Sequence, residues 1–148
     1  MSQENAERNI ERNIERLRQG LDAFNRRDRA AWLALCDPEY ETVPSDDWPE
    51  IEPIRGAEAA WDFYVEADEP WEGSPYEYVE LIDAPDGKVV ALQRREMRGK
   101  ASGAGVVYSY WVVVAFRNGR VLRIEWFTER AKALQAAGLT DQDARADS

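Results

Sequence analysis

Histidine is absent from this chain of 148 residues, and cysteine occurs once, at Cys36. The sequence therefore cannot furnish a His-based catalytic triad, a His or multi-Cys zinc site, or an internal disulfide. Acid–base chemistry, if any, falls to Asp, Glu, Tyr, Arg or Lys, and neither a cofactor nor a metal is expected. Positive charge is scarce as well. The 19 Lys and Arg stand against 29 Asp and Glu, a net charge of −10, and such a field repels phosphate backbones and anionic lipid surfaces. Nucleic acid and membrane are accordingly not expected as partners. No apolar run approaches the roughly 18 residues of a membrane span, and the opening MSQENAERNIERNIERL is charged, without the apolar stretch of a signal peptide, so a cytoplasmic address is expected.

Hydrophobic residues make up 44% of the chain and aromatic residues 11%, six of them Trp, which argues for a packed core despite the 32% that is charged. At this length one domain is expected, over residues 1–139, with a polar, frayed tail at 140–148.

Ile10, Ile14, Leu17, Leu21 and Phe24 recur at spacings of four and three, which places them on one face of a helix from about Glu4 to Asn25. A polar break at Arg26 to Arg29 precedes a short second helix, Ala30 to Leu35, which stops before Asp37-Pro38. Tyr40 to Val43 reads as a strand, and Ser45 to Gly56, with Pro49 and Pro53, as a loop. Ala57, Ala60, Trp61 and Tyr64 mark a third helix. The second half changes period. Tyr76 to Ile82, Lys88 to Arg98, Val106 to Arg117 and Arg120 to Glu129 are β-rich runs separated by turn residues, and Ala131 to Ala137 closes the chain as a helical turn or two that Gly138 stops. Helices first and strands later is the α+β pattern.

For the last hairpin, a three-residue loop Arg117-Asn118-Gly119 would set Val114 beside Leu122, Val112 beside Ile124 and Tyr110 beside Trp126. Even-numbered positions of three strands then share the inner face: Val90, Leu92, Arg94 and Glu96; Tyr108, Tyr110, Val112, Val114 and Phe116; Leu122, Ile124, Trp126 and Thr128. Away from the strand ends the only charges on that face are Arg94 and Glu96, two residues apart on one strand. Such a pair, set among Tyr108, Tyr110 and Trp126, has the make-up of a small-molecule pocket, although it reads equally well as a structural ion pair in an aromatic core. Tyr40 and Thr42, sharing a face of the first strand, would add hydroxyls, and Trp61 a further ring. Asp46 and Asp47 read as a solvated loop, with a lid role as the lesser alternative.

The stretch ArgGlyLysAlaSerGly (98–103), Tyr110-Trp111, Asn118-Gly119-Arg120-Val121, Trp126-Phe127, Ala133-Leu134 and Ala137-Gly138-Leu139 resembles the closing hairpin and C-terminal turn of the nuclear transport factor 2-like superfamily, particularly its SnoaL-like, polyketide-cyclase-like branch. By order of elements the likeness spans roughly residues 10–139. It implies a cone-shaped α+β barrel: a strongly curved, mostly antiparallel sheet wrapped around three N-terminal helices, with a pocket at its open end and frequent homodimerisation. Within that superfamily the chain also resembles limonene epoxide hydrolase. Tyr40-x-Thr42 stands where that family has Tyr-x-Asn, Arg94-x-Glu96 where it has Arg-x-Asp, and Trp126 where it has a second Asp. The resemblance implies a carboxylate that activates water and a second acid that protonates the opening epoxide, and here Trp126 removes that second acid.

Three functions follow as expectations. One is an isomerase-, cyclase- or epoxide-hydrolase-like enzyme acting on a small apolar carbonyl or epoxide, with Glu96 as general base, Arg94 as its orienting partner, and Tyr108, Tyr110 or Tyr40 donating to developing oxyanion charge. Another is a binding domain for an apolar ligand with a polar or anionic head. The third is a dimeric interaction module. The opposite sheet face, with Trp111, Val113 and Phe127, is expected to form a homodimer.

Overall fold

A computed structural model describes residues 3–45, 47–48 and 52–140 of the chain. Helix α1 (Gln3–Asn25) is followed by α2 (Arg29–Ala34), strands β1 (Cys36–Val43) and β2 (Ile54–Arg55), and helix α3 (Ala57–Asp68). Strands β3 (Trp71–Gly73), β4 (Glu77–Asp83), β5 (Val89–Gly99), β6 (Gly105–Arg117) and β7 (Arg120–Phe127) come next, and α4 (Arg130–Ala136) closes the fold. The helices arise where the apolar spacing places them. Leu17 and Phe24 are buried, and Asp28 caps α2 by accepting from the Ala31 amide at 3.2 Å. Gly138, at φ 82°, ends α4, as its place after the last apolar turn predicts.

The strands form one curved sheet in the order β2-β1-β7-β6-β5-β3, with β4 also paired to β5. All pairs are antiparallel except β1 with β7, which run parallel. The architecture is the α+β cone implied by the resemblance, with α1, α2 and α3 inside the curve. Two short strands, β2 and β3, fall in segments too short for a period-2 pattern to register. Residues 46, 49–51 and 141–148 lie outside the described ones, among them Asp46, Pro49 and most of the expected tail.

The register departs from expectation in two places. The β6–β7 turn is a two-residue Asn118-Gly119 loop with both residues left-handed, φ 52° and 76°, and it pairs Arg117 with Arg120. A bulge then inserts one residue between the partners of Phe116 and Ala115, so Val114 lies opposite Ile124 and Val112 opposite Trp126. Even positions still share a face, two residues out of the expected alignment.

The second departure has larger consequences. In β5, Val89 pairs with Val114, Gln93 with Tyr110 and Arg95 with Tyr108, so the odd positions of β5, not the even ones, join the even positions of β6 on the concave side. Arg94 and Glu96 therefore point to the outer face. The reason lies in the residues ahead of them. Val89, Val90 and Ala91 are all fully buried, because both faces of β5 are covered: the concave face by the N-terminal helices, the outer one by α4. A strand apolar on both sides carries no signal of which side is in.

Ala133, Leu134 and Ala137 of the closing segment pack on Ile82, Val90, Trp111 and Val113 as a second core, and the Arg130 guanidinium lies 5.5 Å from the Trp111 ring. Trp111 and Val113, expected in a homodimer interface, are thus already 8% and 3% exposed within one chain. None of the described helices is long and apolar enough to cross a membrane.

Candidate functional site

Between the inner helices and the concave face lies a cavity of about 520 Å³, walled mainly by aromatic rings. All six tyrosines of the chain line it: Tyr40, Tyr64, Tyr76, Tyr78, Tyr108 and Tyr110. They come from β1, α3, the segment before β4, β4 itself and β6, and Trp48, Phe63 and Trp126 extend the wall toward the loop after β1. The rings pack closely: Tyr108 and Tyr110 are tilted on each other with centroids 4.9 Å apart, and Trp126 meets Tyr64 edge to face at 5.8 Å. A cavity of this size falls within the range of small-molecule sites.

Three polar networks cross the cavity wall. In the first, Tyr64 and the Trp126 indole both donate to Thr42 Oγ1, at 2.7 and 2.8 Å, so the Tyr40 hydroxyl, 3.0 Å from that of Tyr64, is the donor of their pair. In the second, Tyr108 donates to Gln93 Oε1 at 2.9 Å. The third gathers around Asp68 at the end of α3. Tyr76 donates to its Oδ1 at 2.6 Å, and the guanidiniums of Arg95 and Arg27 close on its two oxygens. Asp68 and Arg95 are each 8% exposed, and Arg95 Nε also donates to the Ser74 carbonyl at 2.7 Å. Separately, Tyr110 donates to Asp47 Oδ2 at 2.8 Å, across 63 residues of sequence.

Burial lifts the pKa of every one of these phenols. Tyr64, Tyr76 and Tyr110 are pushed up to about 12, the last two also by the neighbouring Asp68 and Asp47 carboxylates. Tyr40, Tyr78 and Tyr108 are raised well above the usual phenol value, again chiefly by burial. Buried Cys36, behind the same wall, is raised to about 12 by loss of solvent. At neutral pH the cavity therefore presents hydroxyl groups, not phenolates. No group of three or more potential metal-binding side chains occurs among the described residues.

Of the residues expected in the site, Tyr40, Tyr108, Tyr110 and Trp126 line the cavity, and Thr42, fully buried, holds Tyr64 and Trp126 in place. Trp61 sits one layer behind, 6% exposed, with its ring 5.5 Å from Phe24 and 5.4 Å from Trp32. Arg94 and Glu96 are outside it. They pair with each other at 3.3 Å on the outer face, their side chains 38% and 70% exposed, because the β5 register turns them away. The carboxylates that do line the cavity are Asp47 and Asp68. Neither was assigned to the site from sequence. Asp47 looked like an ordinary loop acid, and Asp68 shows its partners only once α3 meets β5.

A curved sheet wrapped on three helices over an aromatic cavity defines the nuclear transport factor 2-like class. Residues 17–124 match the model of the SnoaL-like domain, and the chain belongs to that family. No curated protein matches at the level of sequence. Among solved structures, a provisionally assigned isomerase from Bacillus subtilis is 20% identical, with 88% of this chain and 94% of that one covered and a TM-score of 0.69. A nuclear transport factor 2-like protein of unknown function from Burkholderia pseudomallei is also 20% identical, covering 85% and 97% at a TM-score of 0.67. TerC, co-crystallised with polyporic acid, is 20% identical, covering 85% and 97% at a TM-score of 0.68. At these identities the likeness is one of fold.

Proposed function

We propose that the chain binds a small, largely apolar, ring-containing carbonyl compound in the tyrosine-lined cavity and moves a proton on it, with Asp47 as the general base. The observation that carries the reading is the convergence of all six tyrosines on one cavity of about 520 Å³. Rings of this kind offer flat apolar contact, and their hydroxyls fix orientation. The base is assigned by elimination among the lining carboxylates. Both oxygens of Asp68 are occupied by guanidiniums, whereas Asp47 accepts a single hydrogen bond, from Tyr110, and is an exposed loop residue at the cavity wall. Glu96, exposed on the other side of the sheet, is not in reach of a molecule held there.

2-Tetralone, an aromatic ketone with acidic hydrogens next to its carbonyl, tests this. Abstraction of a C1 proton by Asp47 leaves an enolate, and reprotonation from D2O replaces hydrogen with deuterium, which NMR counts. The wild type is expected to accelerate exchange, and Asp47→Asn to slow the catalysed rate by roughly a hundredfold or more. Exchange at the wild-type rate in Asp47→Asn would remove Asp47 from the reaction.

The fold's assembly is proposed to be a homodimer through the part of the outer face that α4 leaves open. Leu92 and Phe127 are only partly covered there, and Val107, opposite Glu96, is 57% exposed. Light scattering at micromolar concentration should give twice the chain mass for the wild type and the single mass for Val107→Glu; a wild-type monomer sinks the dimer.

A further inference from the structure

The hydroxyl protons of the six tyrosines can be followed one by one. Tyr40 donates to Tyr64, Tyr64 to Thr42, Tyr76 to Asp68, Tyr108 to Gln93 and Tyr110 to Asp47. Five phenols are therefore committed to protein acceptors. Tyr78 is the exception. It lies directly opposite Gln93 in the β4–β5 pairing, on the concave side, and lines the cavity. Gln93, 5% exposed, has its carbonyl oxygen occupied by the Tyr108 hydroxyl. The Tyr78 hydroxyl donates no hydrogen bond among the described residues, so its hydrogen is free for a molecule in the cavity. An unspent O–H in an apolar wall costs free energy until it meets an acceptor.

We propose that the Tyr78 hydroxyl is the hydrogen-bond donor to the ligand, and that the ligand class is therefore one bearing a carbonyl or enolate oxygen at the level of β4. This rests on the small-molecule reading above and adds the residue that selects the oxygen. Tyr78 stays protonated while it acts, since burial raises its pKa more than the Gln93 contact lowers it.

Two naphthalenes separate donation from packing: 6-propionyl-2-(dimethylamino)naphthalene, whose emission moves to the red when its carbonyl accepts a hydrogen bond, and 2-propylnaphthalene, which has no oxygen. Tyr78→Phe keeps the ring and removes the hydroxyl. The ketone is expected to bind Tyr78→Phe about fivefold more weakly than wild type and to emit further to the blue when bound, as loss of one neutral hydrogen bond requires, while the hydrocarbon binds both proteins within twofold. Ketone affinity and emission unchanged in Tyr78→Phe, with the cavity still occupied, overturns the donor assignment and leaves the small-molecule reading standing. Failure of both naphthalenes to bind wild type overturns that reading and the donor with it.

Discussion

Raising the pH past about 10 is expected to unfold this protein abruptly, with its tyrosines ionising together and not one at a time. An unfolded tyrosine loses its proton near pH 10, and an unfolded cysteine near 8.5. In the folded chain Tyr40 is buried and Tyr64, Tyr78 and Tyr108 are partly buried in the cavity wall, and all four hold their protons to higher pH, as does Cys36. The sign follows from proton counts. Between the unfolded and folded pKa values the native state binds more protons than the unfolded state, so stability is intact below the unfolded pKa and falls as pH rises. Each such group removes about 1.4 kcal/mol per pH unit, and the four tyrosines alone remove roughly 5 to 6. Tyr76 and Tyr110, nearer solvent, add less. A domain with about 5–15 kcal/mol of stability cannot withstand that slope for more than one to three units. Tyrosinate absorbance near 295 nm and far-ultraviolet circular dichroism, recorded on the same samples, should therefore change in one coincident step above pH 10. Gradual ionisation centred at pH 10 with the dichroism intact would mean that the tyrosines are solvated and the cavity is open water.

The same tyrosines show how far the sequence could be read. Helix α1 was legible because five apolar residues at helical spacing leave one arrangement, whereas Asn118-Gly119 marked the place of the last turn but not its length: the expected three-residue loop is a two-residue one, and the bulge falls further on, where Val121 and Leu122 each fit an apolar slot. The even face of β6 was legible because Tyr108, Tyr110, Val112 and Val114 need cover on one side. Strand β5 was not. Val89 to Leu92 are apolar in both parities, so its orientation is set by how the loop after Gly99 returns the chain to Gly105, where Arg98 pairs with Gly105. Choosing even positions placed Arg94 and Glu96 inside and hid Gln93 and Arg95, the two polar residues of β5 that do face inward. The places of Asp47 and Asp68 in the site were missed for another reason: their partners lie 63 and 27 residues away, and no local pattern encodes such contacts. The parallel β1–β7 pairing is likewise a property of the closed sheet and not of either strand.

Arg94 and Arg95 are adjacent, and each faces a carboxylate, yet their removal is expected to differ by several kcal/mol. Arg95→Ala leaves the Asp68 carboxylate, 8% exposed, with its buried partner gone and only Arg27 and Tyr76 to hold it; Asp68→Ala leaves the Arg95 guanidinium charged in the wall between α3 and β5. Breaking a buried pair from one side costs about 3–5 kcal/mol, since the desolvated charge that remains has no compensation. The outer pair, Arg94 with Glu96, loses little, because water and salt already screen it: Arg94→Ala is expected to change stability by about 1 kcal/mol at most. Urea unfolding of the three variants measures the contrast directly. Salt sharpens it, as 0.5 M NaCl should narrow the small Arg94→Ala effect and leave the Arg95→Ala loss nearly unchanged. Replacing both charges, Asp68→Leu with Arg95→Met, should recover most of the loss, because two apolar side chains leave no orphaned charge in the wall. Equal losses for Arg94→Ala and Arg95→Ala, or a larger one for Arg94→Ala, would return the even positions of β5 to the concave side and move the floor of the cavity by one residue.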